Sequence, residues 1–157
     1  MENKLIYCFD TAGFMEPYGK NYPFDLFPTF WENIDQLIEE ERIFSVRACY
    51  DEIIYQDDDL AKWAKLRRKV FLKHTESLQK ELRVILEVVP SLYEAHLDRS
   101  GADTYIVALA KLKNAVVVSD ELKKRKKKAL TIHQACDQLN IPSMRVVEVI
   151  RKEQWRF

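Results

Sequence analysis

The stretch Leu5-Ile6-Tyr7-Cys8-Phe9-Asp10-Thr11-Ala12-Gly13 decides the fold. An apolar, β-favouring run stops abruptly at an acid, and Thr11-Ala12-Gly13 then turns the chain. A continuous apolar run bounded by polar residues suits a strand buried on both faces, as in a parallel sheet. Ala115-Val116-Val117-Val118 repeats the pattern as the clearest strand of the chain and stops at Ser119-Asp120-Glu121. Residues 43–46 and 143–146 are shorter strand candidates. Between them the spacing of Phe30, Ile34, Leu37 and Ile38 predicts a helix over 30–41. Further helices are expected over 47–55, 103–111, 132–139 and 147–153. Residues 60–88 read as strongly helical and charged, broken near His74-Thr75-Glu76-Ser77 and ended by Pro90. Residues 14–28, rich in aromatics, read as a packed irregular segment. Strands alternating with helices give an α/β fold, a parallel sheet covered by helices on both faces.

The 157 residues suit one domain spanning 1–157, and 47% hydrophobic residues suffice for a core. Three Gly and five Pro argue against a loop-rich or disordered chain. No apolar run approaches the ~20 residues of a membrane span, and the start lacks the apolar region of a signal peptide. A cytoplasmic protein with no membrane partner is therefore expected. Cys8, Cys49 and Cys136 are widely separated and odd in number, which is neither a disulfide framework nor a zinc knuckle. His74, His96 and His133 have no metal-ligand spacing.

Lys+Arg and Asp+Glu are both 25, so the net charge is zero, whereas nucleic-acid binders are often basic overall. The distribution is uneven, and steering depends on local field. Acids cluster at Glu39-Glu40-Glu41 and at Asp57-Asp58-Asp59, the latter read as a helix cap. Six consecutive bases, Lys123, Lys124, Arg125, Lys126, Lys127 and Lys128, directly follow Glu121. They can contact nucleic-acid phosphates or form a solvated loop, and their position beside the acids favours the contact. Arg67-Arg68-Lys69 reads as a solvated helix face.

The candidate chemistry lies in the acids. In open α/β sheets, sites form outside the carboxyl ends of strands. Asp10 and Asp120-Glu121 sit at two such ends, Asp103 opens a helix after a small-residue turn, and Glu52 lies on the helix after the second strand. Two carboxylates ~5 Å apart repel by roughly 3 kcal/mol at an effective dielectric near 20. A divalent cation removes that cost, and oxygen ligands select Mg²⁺ or Mn²⁺. Each acid also has a structural alternative. Asp10 can cap the turn after its strand, Asp103 can be an N-cap with Thr104 at N1, Glu52 can face solvent, and Asp120 and Glu121 can start a helix.

Four motifs carry a resemblance. Tyr7-Cys8-Phe9-Asp10-Thr11 and Tyr50-Asp51-Glu52-Ile53 resemble the first two acidic motifs of PIN-domain proteins. Ala102-Asp103-Thr104-Tyr105-Ile106-Val107-Ala108-Leu109-Ala110 resembles the third and is the most specific, and Val117-Val118-Ser119-Asp120-Glu121 resembles the fourth. Tyr22-Pro23, Phe27-Pro28-Thr29-Phe30-Trp31-Glu32, Ile132-His133-Gln134-Ala135-Cys136 and Trp155-Arg156-Phe157 resemble a stand-alone PIN branch related to VapC-type toxins.

The resemblance implies a three-layer α/β/α sandwich and a Mg²⁺- or Mn²⁺-dependent endoribonuclease, the toxin of a toxin–antitoxin pair. By the same implication Asp10, Glu52, Asp103 and Glu121 are catalytic, and the metal ligands are Asp10, Glu52, Asp103 and either Glu121 or Asp120. Thr11 and Ser119 support the site. The fourth motif departs from the family in carrying the longer Glu121, and Ala12 stands where Ser is frequent. The implied partners are an RNA substrate and an antitoxin protein, and the aromatic 14–31 segment could pack a second copy as a homodimer. The departure in the fourth motif keeps a second reading open: a catalytically idle PIN scaffold that binds RNA or a protein. Residues 132–152 also have the outline of a helix-turn-helix, but Val146, Val147 and Ile150 look like core and the segment holds the last strand a PIN sheet needs.

Overall fold

A computed structural model describes residues 4–92, 101–121 and 130–157. Its centre is a five-stranded, wholly parallel sheet of order β3-β2-β1-β4-β5. The strands are β1 (Tyr7–Phe9), β2 (Ile43–Val46), β3 (Phe71–Leu72), β4 (Val116–Val118) and β5 (Ser143–Met144). Tyr7, Cys8 and Phe9 pair with Val116, Val117 and Val118 on one side, and Tyr7 and Cys8 pair with Ile43 and Phe44 on the other. Every residue of β1 and β4 is buried. That explains the unbroken apolar runs, since a parallel strand packed on both faces has no polar side.

Among the described residues the helices are α1 (Thr11–Glu16), α2 (Pro28–Glu39), α3 (Arg47–Tyr55), α4 (Asp59–Lys65), α5 (Glu76–Val88), α6 (Ala102–Lys113), α7 (Ile132–Gln138) and α8 (Val146–Lys152). They cover both faces of the sheet, giving the expected α/β/α sandwich. The most buried of them, α6, is buried at Ala102 and from Thr104 through Ala110 and packs on β1, β2 and β4. Among the described residues no helix is long and apolar enough to cross a membrane.

Three local expectations need correction. Residues 60–88 are not one interrupted helix. After α4 come a 3₁₀ turn (Arg68–Val70), the edge strand β3 and then α5. Two strand residues are too few to show an alternation, and it is pairing (Ser45 with Phe71, Val46 with Leu72) that makes them a strand. Arg67 is not a solvated face residue either. It grips Asp35 with bonds of 2.5 and 2.7 Å, and its guanidinium lies 4.5 Å from the Trp63 ring centroid. Finally, the segment after Asp10 begins as α1 and widens into a π-turn over Pro17–Asn21 before its aromatics enter the core. There Tyr22 stacks on Phe30 and Trp31 packs edge-on against Trp63.

Most other features hold. Asp58 caps α4 through its side chain, accepting from Ala61 N at 2.9 Å. Cys8, Cys49 and Cys136 are free and buried. The helix-turn-helix outline fails because β5 stands between α7 and α8, paired to β4. Of the residues expected in the core there, Val146 is fully buried and Ile150 half-buried, whereas Val147 is exposed and Val149 takes the inner position.

Candidate functional site

The strand order reverses direction between β1 and β4, and a crevice opens outside their carboxyl ends at such a switch point. Asp10 is the first residue after β1 and Ser119 the first after β4. They meet directly: the Ser119 hydroxyl donates to Asp10 Oδ2 at 2.6 Å. Asp10 Oδ1 accepts from Gly13 N at 2.7 Å, which makes Asp10 the N-cap of α1. The expected capping role is therefore real, but the cap and the Ser119 bond together use one lone pair of each oxygen, and a carboxylate has about four acceptor positions.

Asp10 is 2% exposed. Burial pushes its carboxyl well above the usual range, and the charge of Asp103 pushes it further. The bonds from Ser119 and Gly13 pull it back, and Glu121 raises it again. Three acids from distant parts of the chain thus share one electrostatic neighbourhood. Asp103 is the second residue of α6, half-buried in its first turn. It is not the N-cap: that position belongs to Gly101, held left-handed at φ 78°, and Thr104 Oγ1 donates back to the Gly101 carbonyl at 2.8 Å.

Glu52 is exposed on α3, and Thr11, next to Asp10, donates to its Oε1 at 2.8 Å. Beneath this pair lies Cys49. Burial raises its thiol pKa, a hydrogen bond with Thr11 lowers it, and the charges of Asp10 and Glu52 act on it as well. Asp10, Thr11, Cys49 and Glu52 are accordingly close neighbours.

Asp120 and Glu121 diverge. The Glu121 backbone N donates to Ser119 Oγ at 3.0 Å, while its Oε2 accepts from Ile132 N at the start of α7, 2.9 Å away. Asp120 is buried toward α8. Its Oδ1 accepts from Val146 N at 2.9 Å and lies 3.7 Å from Arg145 Nε. Each acid supports the start of a helix distant in sequence, and Glu121 adds to the charge that acts on Asp10.

The oxygen donors suit a hard divalent cation, and the mutual repulsion at Asp10 is what such a cation would relieve. Among the described residues no group of three or more His, Cys, Asp or Glu side chains is disposed to hold a metal ion. The bases Lys123 to Lys128 lie outside the described residues.

A family model matches residues 7–157. The chain belongs to DUF4411. That family is described as a domain of unknown function, and its model takes in all the acids named above. No curated protein matches the chain.

Two supporting residues of this DUF4411 chain escape sequence reasoning. A Cβ on Gly13 would stand 2.9 Å from the Val118 carbonyl oxygen and 3.1 Å from the Phe9 ring, so only glycine lets α1 start against β4. Its signal was its rarity, since the chain has three glycines. His133 bridges Ser119 O at 2.9 Å and Ser143 Oγ at 2.8 Å, tying α7 to the ends of β4 and β5. Those partners lie ten or more residues away, where spacing carries no signal.

Proposed function

We propose that this chain is a PIN-type, metal-dependent endoribonuclease whose site is the crevice at β1 and β4. One observation carries the reading: a buried carboxyl at the switch point, Asp10, tied to Ser119 and pressed by Asp103 and Glu121. Asp10, Glu52, Asp103 and Glu121 would hold Mg²⁺ or Mn²⁺. Asp120, engaged with Val146, is left out of that set. When bound, the ion supplies Lewis acidity and a nucleophilic water at neutral pH.

The chain's own residues do the positioning. Ser119 and Gly13 fix the Asp10 carboxyl, Thr11 orients Glu52, and Ile132 N holds one oxygen of Glu121. The six bases after Glu121 are assigned the RNA phosphates on sequence position. The choice of RNA, the toxin role, an antitoxin partner and a cytoplasmic setting follow from the PIN resemblance alone.

A second reading, an idle scaffold binding RNA or protein, has its own support. Both Asp10 oxygens and one Glu121 oxygen already accept hydrogen bonds within the protein. Thermal unfolding with and without millimolar Mn²⁺, on wild type and Asp103→Asn, separates the two. Metal at ten times its Kd stabilises by about 1.4 kcal/mol. A wild-type shift that the variant lacks, with loss of RNA cleavage in the variant, supports the nuclease. No shift and no cleavage in either leaves the scaffold.

A further inference from the structure

The carboxyl ends of β1, β2 and β3 lie along one edge of the sheet because the strands are parallel. The chain leaves these ends through Thr11 into α1, through Arg47 into α3 and past His74 toward α5. An open groove of about 620 Å³ lies over them, within the range of about 300–1,000 Å³ typical of ligand sites. It adjoins the acid crevice directly, since Thr11 and Glu52 line it and are hydrogen-bonded to each other.

Its lining has a distinctive chemistry. Tyr55, at the end of α3, is 85% exposed, so its ring is left bare. Met15 and Ala48 add apolar surface. Arg47 contributes a buried Nε that makes no hydrogen bond among the described residues and lies 3.6 Å from Asp51 Oδ1. A run of phosphates entering here would meet Asp51 and Glu52 against one guanidinium, which is unfavourable. A nucleobase would meet an aromatic face, apolar walls and carboxylates able to accept from its exocyclic amino groups. The guanidinium is then placed for the single phosphate attached to that base.

We infer that the groove between α1 and α3 is a nucleotide subsite for single-stranded RNA, with the base adjoining the scissile phosphate stacked on Tyr55 and its phosphate held by Arg47. This rests on the nuclease reading for the choice of RNA and for the position of the scissile phosphate, but not for the groove itself.

The test is fluorescence anisotropy with a labelled mixed-sequence RNA of roughly ten nucleotides, the footprint of a single-strand groove. The full chain carries Asp103→Asn to stop cleavage, and Tyr55→Ala and Tyr55→Phe are added to it in turn. Tyr55→Ala is expected to weaken Kd about tenfold, or about 1.4 kcal/mol, while Tyr55→Phe keeps the affinity. In the chain that retains Asp103, Tyr55→Ala should leave the Mn²⁺-induced thermal shift unchanged, which shows that the variant folds and keeps its acid site. Equal Kd with and without Tyr55→Ala overturns the subsite, and so does a chain that binds no RNA. Both results leave the nuclease reading to its own metal test. The opposite pattern, Tyr55-dependent RNA binding with neither Mn²⁺ shift nor cleavage, overturns the nuclease reading and retains the groove.

Discussion

At the scale of single residues, Asp10 concentrates the conflict between stability and chemistry. Its carboxyl is buried, faces Asp103 and Glu121, and is steadied by one hydroxyl and one peptide N–H. Its folded pKa lies above the unfolded value of about 3.9. The folded state therefore binds the proton more readily, and stability is lost as pH rises from about 4 through the raised folded pKa. In metal-free buffer, Asp10→Asn should be more stable than wild type at neutral pH, and the two should converge near about pH 4. The asparagine oxygen still accepts from Gly13, and its amide can donate to the Ser119 hydroxyl, so packing is preserved. Urea melts across this pH range provide the measurement, and a constant difference between the two proteins would refute the account.

At the scale of elements, the site is assembled by helix starts. Asp10 caps α1, Glu121 receives Ile132 N of α7, and Asp120 receives Val146 N of α8. Thr131 and Gln134 form a reciprocal capping box that fixes where α7 begins. Asp120 is thus assigned to anchoring α8. Asp120→Ala should cost about 1–3 kcal/mol, because a buried peptide N–H loses its acceptor. Asp120→Asn keeps that acceptor and should cost less. Asp120→Asn should also keep the Mn²⁺-induced thermal shift. Loss of the shift in a folded Asp120→Asn protein would make Asp120 a ligand instead.

At the scale of the whole molecule, the wholly parallel sheet points β1 and β4 the same way, and the reversal of strand order between them leaves a crevice that the acids face. On the proposed nuclease reading, proton and cation compete for these carboxylates, since a ligand must be deprotonated to bind metal. Stabilisation by a fixed Mn²⁺ concentration should therefore grow between about pH 5 and about pH 8, and it should be absent throughout in Asp10→Asn. Thermal scans at several pH values would show this, and a pH-independent shift would place the cation elsewhere.

By itself the amino-acid sequence determined the class of fold and the candidate acids. The runs ending at Asp10 and Ser119 suit strands buried on both faces, and their alternation with helical periods suits a parallel sheet. Spacing also suffices to read the cap at Asp58, because a cap acts over three residues. What lay beyond such local patterns was decided by tertiary structure. Strand β3 exists only through its pairing with β2, and Arg67 is held by Asp35, 32 residues away. The assignment of Asp120 and Glu121 was equally hidden, for adjacent residues differ only in which distant peptide N–H each one meets. The groove beneath Tyr55 joins three strand ends that are far apart in the chain. Local patterns arise from interactions within a few residues and leave a periodic trace, whereas a site is made of contacts between segments whose separation leaves none.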